Sequence, residues 1–78
     1  MLPEMKDRAI LRREVKEEMA KRGISARQIM RDTGISHVTV NKFLRGEGDT
    51  LEQTIIKLCL YLALDWYRPG SQPEEVTP

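Results

Sequence analysis

Residues 25–46 read SARQIMRDTGISHVTVNKFLRG, and this stretch decides the fold. Ser25 and Ser36 each precede a run of apolar residues with helical spacing, and a serine at that place accepts a hydrogen bond from a free amide of the helix start. Gly34 and Gly46 follow the two runs, where glycine commonly ends a helix. The stretch therefore predicts two short helices, about 26–33 and 37–45, joined by a tight turn.

The turn between these helices contains glycine and spans only three or four residues, so the helices must cross steeply. Ile29, Ile35, Val40 and Phe43 have the spacing to fill that crossing. The second helix then turns five other residues outward: His37, Val38, Asn41, Lys42 and Arg45. A protruding helix of this kind suits the major groove of DNA, which admits one α-helix.

The flanking sequence predicts further helices. One runs from about 7 to 22 and stops at Gly23, and another runs from about 51 to 63 with Thr50 as its cap. Asp65 can cap one additional turn through 66 and 67. We expect residues 1–70 to form one all-α domain, a compact bundle of four to five short helices. Residues 71–78 hold two prolines and two glutamates, and we expect a disordered tail there.

Charge is unevenly distributed along the 78 residues, although the formal net charge is only +1. Residues 1–46 carry eleven basic and six acidic residues, whereas residues 47–78 carry two and six. A basic half indicates a polyanion partner, but a set of solvated helix surfaces gives the same count. Charge alone leaves both interpretations open, including for the basic residues of the first helix.

Other function classes find little support in the sequence. The first residues lack the apolar segment of a signal peptide, and the longest apolar run is too short to span a bilayer. His37 and Cys59 are the only residues of their types, so we expect no metal site, no disulfide and no catalytic pair. We therefore expect a cytoplasmic protein that is not an enzyme and needs no cofactor, with Cys59 buried.

The sequence resembles the Cro and phage-repressor family of helix-turn-helix DNA-binding proteins, which includes the lambda and 434 regulators. The resemblance covers about residues 10–67 and is strongest in RGIS at 22–25 and GISHVTV at 34–40, with RG at 45–46, LAL at 62–64 and DW at 65–66. It implies five short helices and a dimer bound to a two-fold symmetric operator.

The chain departs from the family pattern at three places. Ala26 stands where the family usually has a phosphate-anchoring glutamine, and Met30 stands where it prefers a small residue. Met19 and Leu44 occupy the positions of a common arginine–glutamate pair. We expect an apolar contact there, which is often as stabilising as a buried ion pair.

The resemblance and the base-pair chemistry together assign roles to the exposed residues. Asparagine pairs with adenine, and lysine pairs with guanine. We expect base contacts from His37, Val38, Asn41 and Lys42, and phosphate contacts from Arg27, Gln28, Thr39 and Arg45.

The expected helix at about 51–63 carries more apolar residues than one core stripe needs. We expect a homodimer interface that includes Ile56, Leu60, Leu64, Trp66 and Tyr67, although Trp66 could also close the monomer core.

The leading function is a transcriptional regulator, most simply a repressor, that binds double-stranded DNA. The alternative is a protein-interaction module of the same fold, similar to an antitoxin, that binds a protein partner. RNA binding is less favoured, because RNA-binding proteins usually stack bases on exposed aromatic side chains. Phe43, the one aromatic residue of the expected helix at 37–45, points inward.

Overall fold

A computed structural model describes residues 4–70. It contains four helices, α1 (Arg8–Arg22), α2 (Ala26–Thr33), α3 (His37–Arg45) and α4 (Glu52–Tyr61). The bounds expected for α2 and α3 are confirmed, and α1 starts one residue after the expected position because Asp7 caps it. The expected disordered tail at 71–78 lies outside the described residues, as do the first three residues of the expected domain.

One apolar core holds the helices together. The four residues expected at the crossing of α2 and α3 all belong to it, with Ile29 fully buried and Val40 1% exposed. The other members come from α1, from α4 and from the residue that follows α4: Leu11, Val15, Met19, Ile55, Leu58, Cys59 and Leu62. Helix α2 packs against α3 and α4, and α1 packs against α3.

Short side-chain hydrogen bonds fix the two helices of the helix-turn-helix. Ser25 Oγ accepts from the Gln28 amide at 3.1 Å, and Ser36 Oγ accepts from the Val38 amide at 3.2 Å. The Thr33 hydroxyl donates a hydrogen bond to the Ile29 carbonyl of α2 and accepts one from the Ile35 amide. Gly34 then reverses the chain with a φ of +81°. Each turn of this segment is therefore specified locally, which explains why its bounds could be read from the sequence.

Helix α4 differs from the sequence-based expectation at both ends. The expected cap Thr50 is wrong: Leu51 precedes the helix and makes no side-chain cap bond. The Thr50 carbonyl instead accepts a hydrogen bond from Arg8 of α1, which draws the chain at Thr50 toward that helix. At the other end Ala63, expected inside α4, adopts a left-handed φ of +56° and turns the chain out of the helix.

The expected extra turn through Trp66 and Tyr67 is also wrong, and residues 4–70 contain four helices, not five. The reason is a pairing between the two ends of the domain. Met5 and Tyr67 form an antiparallel bridge, in which the Lys6 backbone amide donates to the Trp66 carbonyl at 2.9 Å and the Arg68 backbone amide donates to the Glu4 carbonyl at 2.8 Å. The extended backbone that this pairing requires is incompatible with a helix.

Cys59 is fully buried, as expected. Burial, and then the Glu14 carboxylate, raise the pKa of the Cys59 thiol to about 11, against a smaller opposing effect of Lys6. Met19 is also buried, and Leu44 is partly buried against the same core. The two residues that replace the family's arginine–glutamate pair therefore both have apolar surroundings. No helix among residues 4–70 is long and apolar enough to cross a membrane.

The left-handed conformation of Ala63 gives a stability prediction. A left-handed backbone costs a residue with a Cβ about 1–2 kcal/mol, and glycine avoids this cost while losing more chain entropy on folding. We expect Ala63→Gly to raise the free energy of unfolding in urea by about 0.5–1 kcal/mol. The matched control is Ala20→Gly in the exposed last turn of α1, where the backbone is right-handed, and this substitution should lower the free energy of unfolding by about 0.5–1 kcal/mol. Equal losses from both substitutions would contradict the left-handed turn.

Candidate nucleic-acid interface

Helix α3 is attached to the domain along one side. Val40 and Phe43 face the core and are 1% and 3% exposed. On the opposite side Val38 is 49% exposed, and Lys42 and Arg45 are exposed as well. The helix therefore presents a continuous outer face, as a groove-reading helix requires.

The four expected base-contacting residues all lie on α3 but differ in exposure. Val38 and Lys42 are exposed, whereas Asn41 and His37 are partly buried. His37 Nδ1 lies 3.4 Å from Met30 Sδ, so the imidazole leans toward α2 rather than straight outward. The structure thus places Val38, Asn41 and Lys42 in the centre of the face and His37 at its edge.

The four expected phosphate-contacting residues lie on two elements. Arg27 and Gln28 are exposed in the first turn of α2, where the helix dipole also favours an anion. Thr39 is partly buried and lines clefts on the flank of α3 that faces α4 and the preceding loop. Arg45 is exposed but paired, because its Nε lies 3.1 Å from a carboxylate oxygen of Glu47.

Three arginines of the basic half donate to backbone carbonyls, and of these Arg12 is partly buried while Arg8 and Arg22 stay exposed. Arg12 donates to the Phe43 carbonyl at 2.8 Å, and its guanidinium lies 5.9 Å from the centre of the Phe43 ring. Arg8 donates to the Thr50 carbonyl at 2.6 Å, and Arg22 donates to the Leu62 carbonyl at 2.9 Å. The interpretation of these residues as only a solvated face therefore does not describe Arg12, whereas Arg22 is exposed and also bonds to the fold.

The residues expected at a dimer interface are not equally accessible. Leu60 is 65% exposed, and Ile56, one turn earlier on α4, is partly buried. Leu64 and Trp66 pack partly buried against the core, so Trp66 does contribute to the monomer. Tyr67 packs edge-on against Trp66 with ring centres 5.7 Å apart. Burial, followed by Asp65, raises the pKa of the Tyr67 hydroxyl.

Sequence reasoning missed three features of this structure. Glu47 and Asp49 line a cleft beside α3, and Leu51 is 71% exposed just before α4. The third is the hydrogen bond from the Tyr61 hydroxyl to Asp32, which joins the end of α4 to α2 and raises the pKa of Tyr61. An acidic residue two positions after Arg45 was the one visible signal for the Arg45–Glu47 pair.

A sequence model of the Cro/C1-type helix-turn-helix DNA-binding domain matches residues 14–65. The match spans 52 of the 78 residues and includes all of α2, α3 and α4. Arg8 and Arg12 lie before it, and Trp66 and Tyr67 lie after it. No curated protein and no solved structure gives a significant match.

The contacts of Arg12 give a prediction that separates a structural role from a DNA contact. We expect Arg12→Ala to lower the free energy of unfolding by about 1–2 kcal/mol, because a hydrogen bond from a charged donor is lost. The exposed neighbour Arg13 is the matched control, and Arg13→Ala should change stability by less than about 0.5 kcal/mol. Urea unfolding measures both. A DNA-facing Arg12 would instead leave stability unchanged and flatten the salt dependence of duplex binding.

Proposed function

The chain belongs to the Cro/C1-type helix-turn-helix DNA-binding domains, and on that premise we propose that it is a sequence-specific transcriptional regulator, most simply a repressor. In this proposal α3 enters the major groove of double-stranded DNA. The observation that carries it is the outer face of α3, since Val40 and Phe43 hold the helix from one side and leave the other free. Bound at a promoter, such a domain represses by excluding other proteins.

The proposed readout follows from hydrogen-bonding chemistry. Asn41 pairs with adenine, Lys42 with guanine, and Val38 packs against a thymine methyl group. His37 contacts the base at the entering end of α3. The phosphate contacts come from Arg27, Gln28, Thr39 and Arg45, and they set the register of the domain without reading sequence. The exposure of Val38 and Lys42 supports this division, and the ion pair of Arg45 qualifies it.

Two substitutions test the readout. We expect Asn41→Ala to weaken binding to the preferred site by roughly 1–3 kcal/mol and to leave random duplex almost unaffected. Arg45→Ala should weaken both by similar factors and make the salt dependence shallower. The preferred site is obtained by selection from a random duplex library, and affinities are measured by fluorescence anisotropy across a salt series. Equal losses for Asn41→Ala on both duplexes would mean that Asn41 contacts the DNA backbone and does not read a base.

We further propose that the protein acts as a homodimer with two-fold symmetry. One short helix touches only a few base pairs, which rarely selects one site in a genome. Two copies double the contacts and place half-sites roughly 34 Å apart, one turn of the duplex. The exposed Leu60 and the paired rings of Trp66 and Tyr67 supply apolar area of the kind that interfaces use.

Sedimentation at high micromolar concentration tests the dimer. We expect reversible self-association that strengthens on a symmetric site. Leu60→Glu and Tyr67→Ala should reduce cooperative binding, because they remove apolar contact or bury a charge. Leu51→Glu is the matched control, since Leu51 is as exposed as Leu60 but lies at the opposite end of α4. A strict monomer that binds a symmetric site one-to-one would rule the dimer out.

The alternative function is a protein-interaction module that holds a protein partner. The apolar surplus of α4 favours it, with Leu60 65% exposed one turn after the partly buried Ile56, since contiguous exposed apolar area marks an interface. The two functions differ in a simple test, which is binding to random duplex at low salt. Absence of any duplex binding there would leave the partner-binding function ahead.

A further inference from the structure

The loop between α3 and α4, residues 46–51, places negative charge beside the DNA-facing helix. Glu47 and Asp49 are both exposed in this acidic loop. Together with other loop residues they line a cleft of about 180 Å³ whose opposite wall is formed by Thr39 and Lys42 of α3. Two carboxylates therefore share a cleft with one expected phosphate contact and one expected base contact.

The acidic loop is anchored at both ends by α1. Arg12 donates to the Phe43 carbonyl just before the loop, and Arg8 donates to the Thr50 carbonyl near its end. Gly46 begins the loop with a φ of +74°, and a Cβ there would lie 3.1 Å from the Arg12 guanidinium carbon. The backbone of the loop is thus held against α1, and its carboxylates stay beside α3.

Glu47 also neutralises the arginine at the end of α3. Arg45 Nε lies 3.1 Å from a Glu47 carboxylate oxygen, with both side chains more than half exposed. An exposed pair of this kind adds little stability. It does occupy the Nε donor and offsets the positive charge of the guanidinium, so a DNA phosphate that binds Arg45 competes with the Glu47 carboxylate.

We propose that the acidic loop is a built-in anionic competitor that lowers the affinity of the domain for DNA of any sequence. Glu47 competes with phosphates for Arg45, and Asp49 adds repulsion on the Thr39 flank. Because phosphate contacts are made on every duplex, this competition lowers specific and non-specific affinity by similar factors. The inference rests on the proposed function, because it concerns the same face of α3.

The test compares Glu47→Gln with the natural protein on random duplex and on the selected site. Release of Arg45 should raise affinity for random duplex roughly two- to fivefold, the range typical of an exposed charge pair. It should also steepen the salt dependence, by less than the roughly 0.9 of a whole added phosphate contact, because Arg45 already reaches that phosphate in the natural complex. Glu17→Gln removes the same charge from the exposed face of α1 and is the matched control. It should change neither quantity.

A double-mutant cycle shows whether Glu47→Gln changes DNA affinity through Arg45. In an Arg45→Ala background, Glu47→Gln should lose most of its gain on random duplex, because the released arginine is absent. Far-UV circular dichroism confirms that each variant folds. If the natural protein binds duplex DNA but Glu47→Gln matches Glu17→Gln in affinity and salt slope, the competitor is overturned while the proposed function stands. If the natural protein binds no duplex at all, both are overturned.

Discussion

A helix of nine residues does not persist by itself in water, because its few hydrogen bonds do not repay the ordering of the chain. Helix α3 exists because Val40 and Phe43 are buried on one side and Ser36 and Gly46 define its ends. The crossing with α2 and the contact with α1 both meet at this buried side. Because all attachment lies on that side, the other side remains free, and this constraint creates the surface that DNA is proposed to meet.

The fold also uses part of the positive charge of the chain. Arg8, Arg12 and Arg22 are part of the basic half, yet each donates to a backbone carbonyl. The groove-facing charge is therefore carried by a few residues of α2 and α3, and one of them, Arg45, is paired with Glu47. This pair on the proposed DNA-facing helix is the basis of the competition proposed for the acidic loop.

The parts of the fold that could be predicted from the sequence are those specified locally. The bounds of α2 and α3 follow from a serine before each helix and a glycine after it, and their buried residues follow from spacing. The start of α4, the turn at Ala63 and the pairing of Met5 with Tyr67 could not be predicted, because each depends on contacts between distant residues. For the site, the residues on the outer face of α3 were identifiable by helical period. The lean of His37 toward Met30 and the anchoring of the acidic loop required the tertiary structure.

The central claim is that the free side of α3 meets duplex DNA. Amide chemical shifts of ¹⁵N-labelled protein, followed during titration with a selected duplex, test it most directly. The account predicts that the largest changes fall in residues 37–45 and at the start of α2, with smaller changes where the dimer forms. Changes confined to α4 and its exposed Leu60, with α3 unperturbed, would contradict it.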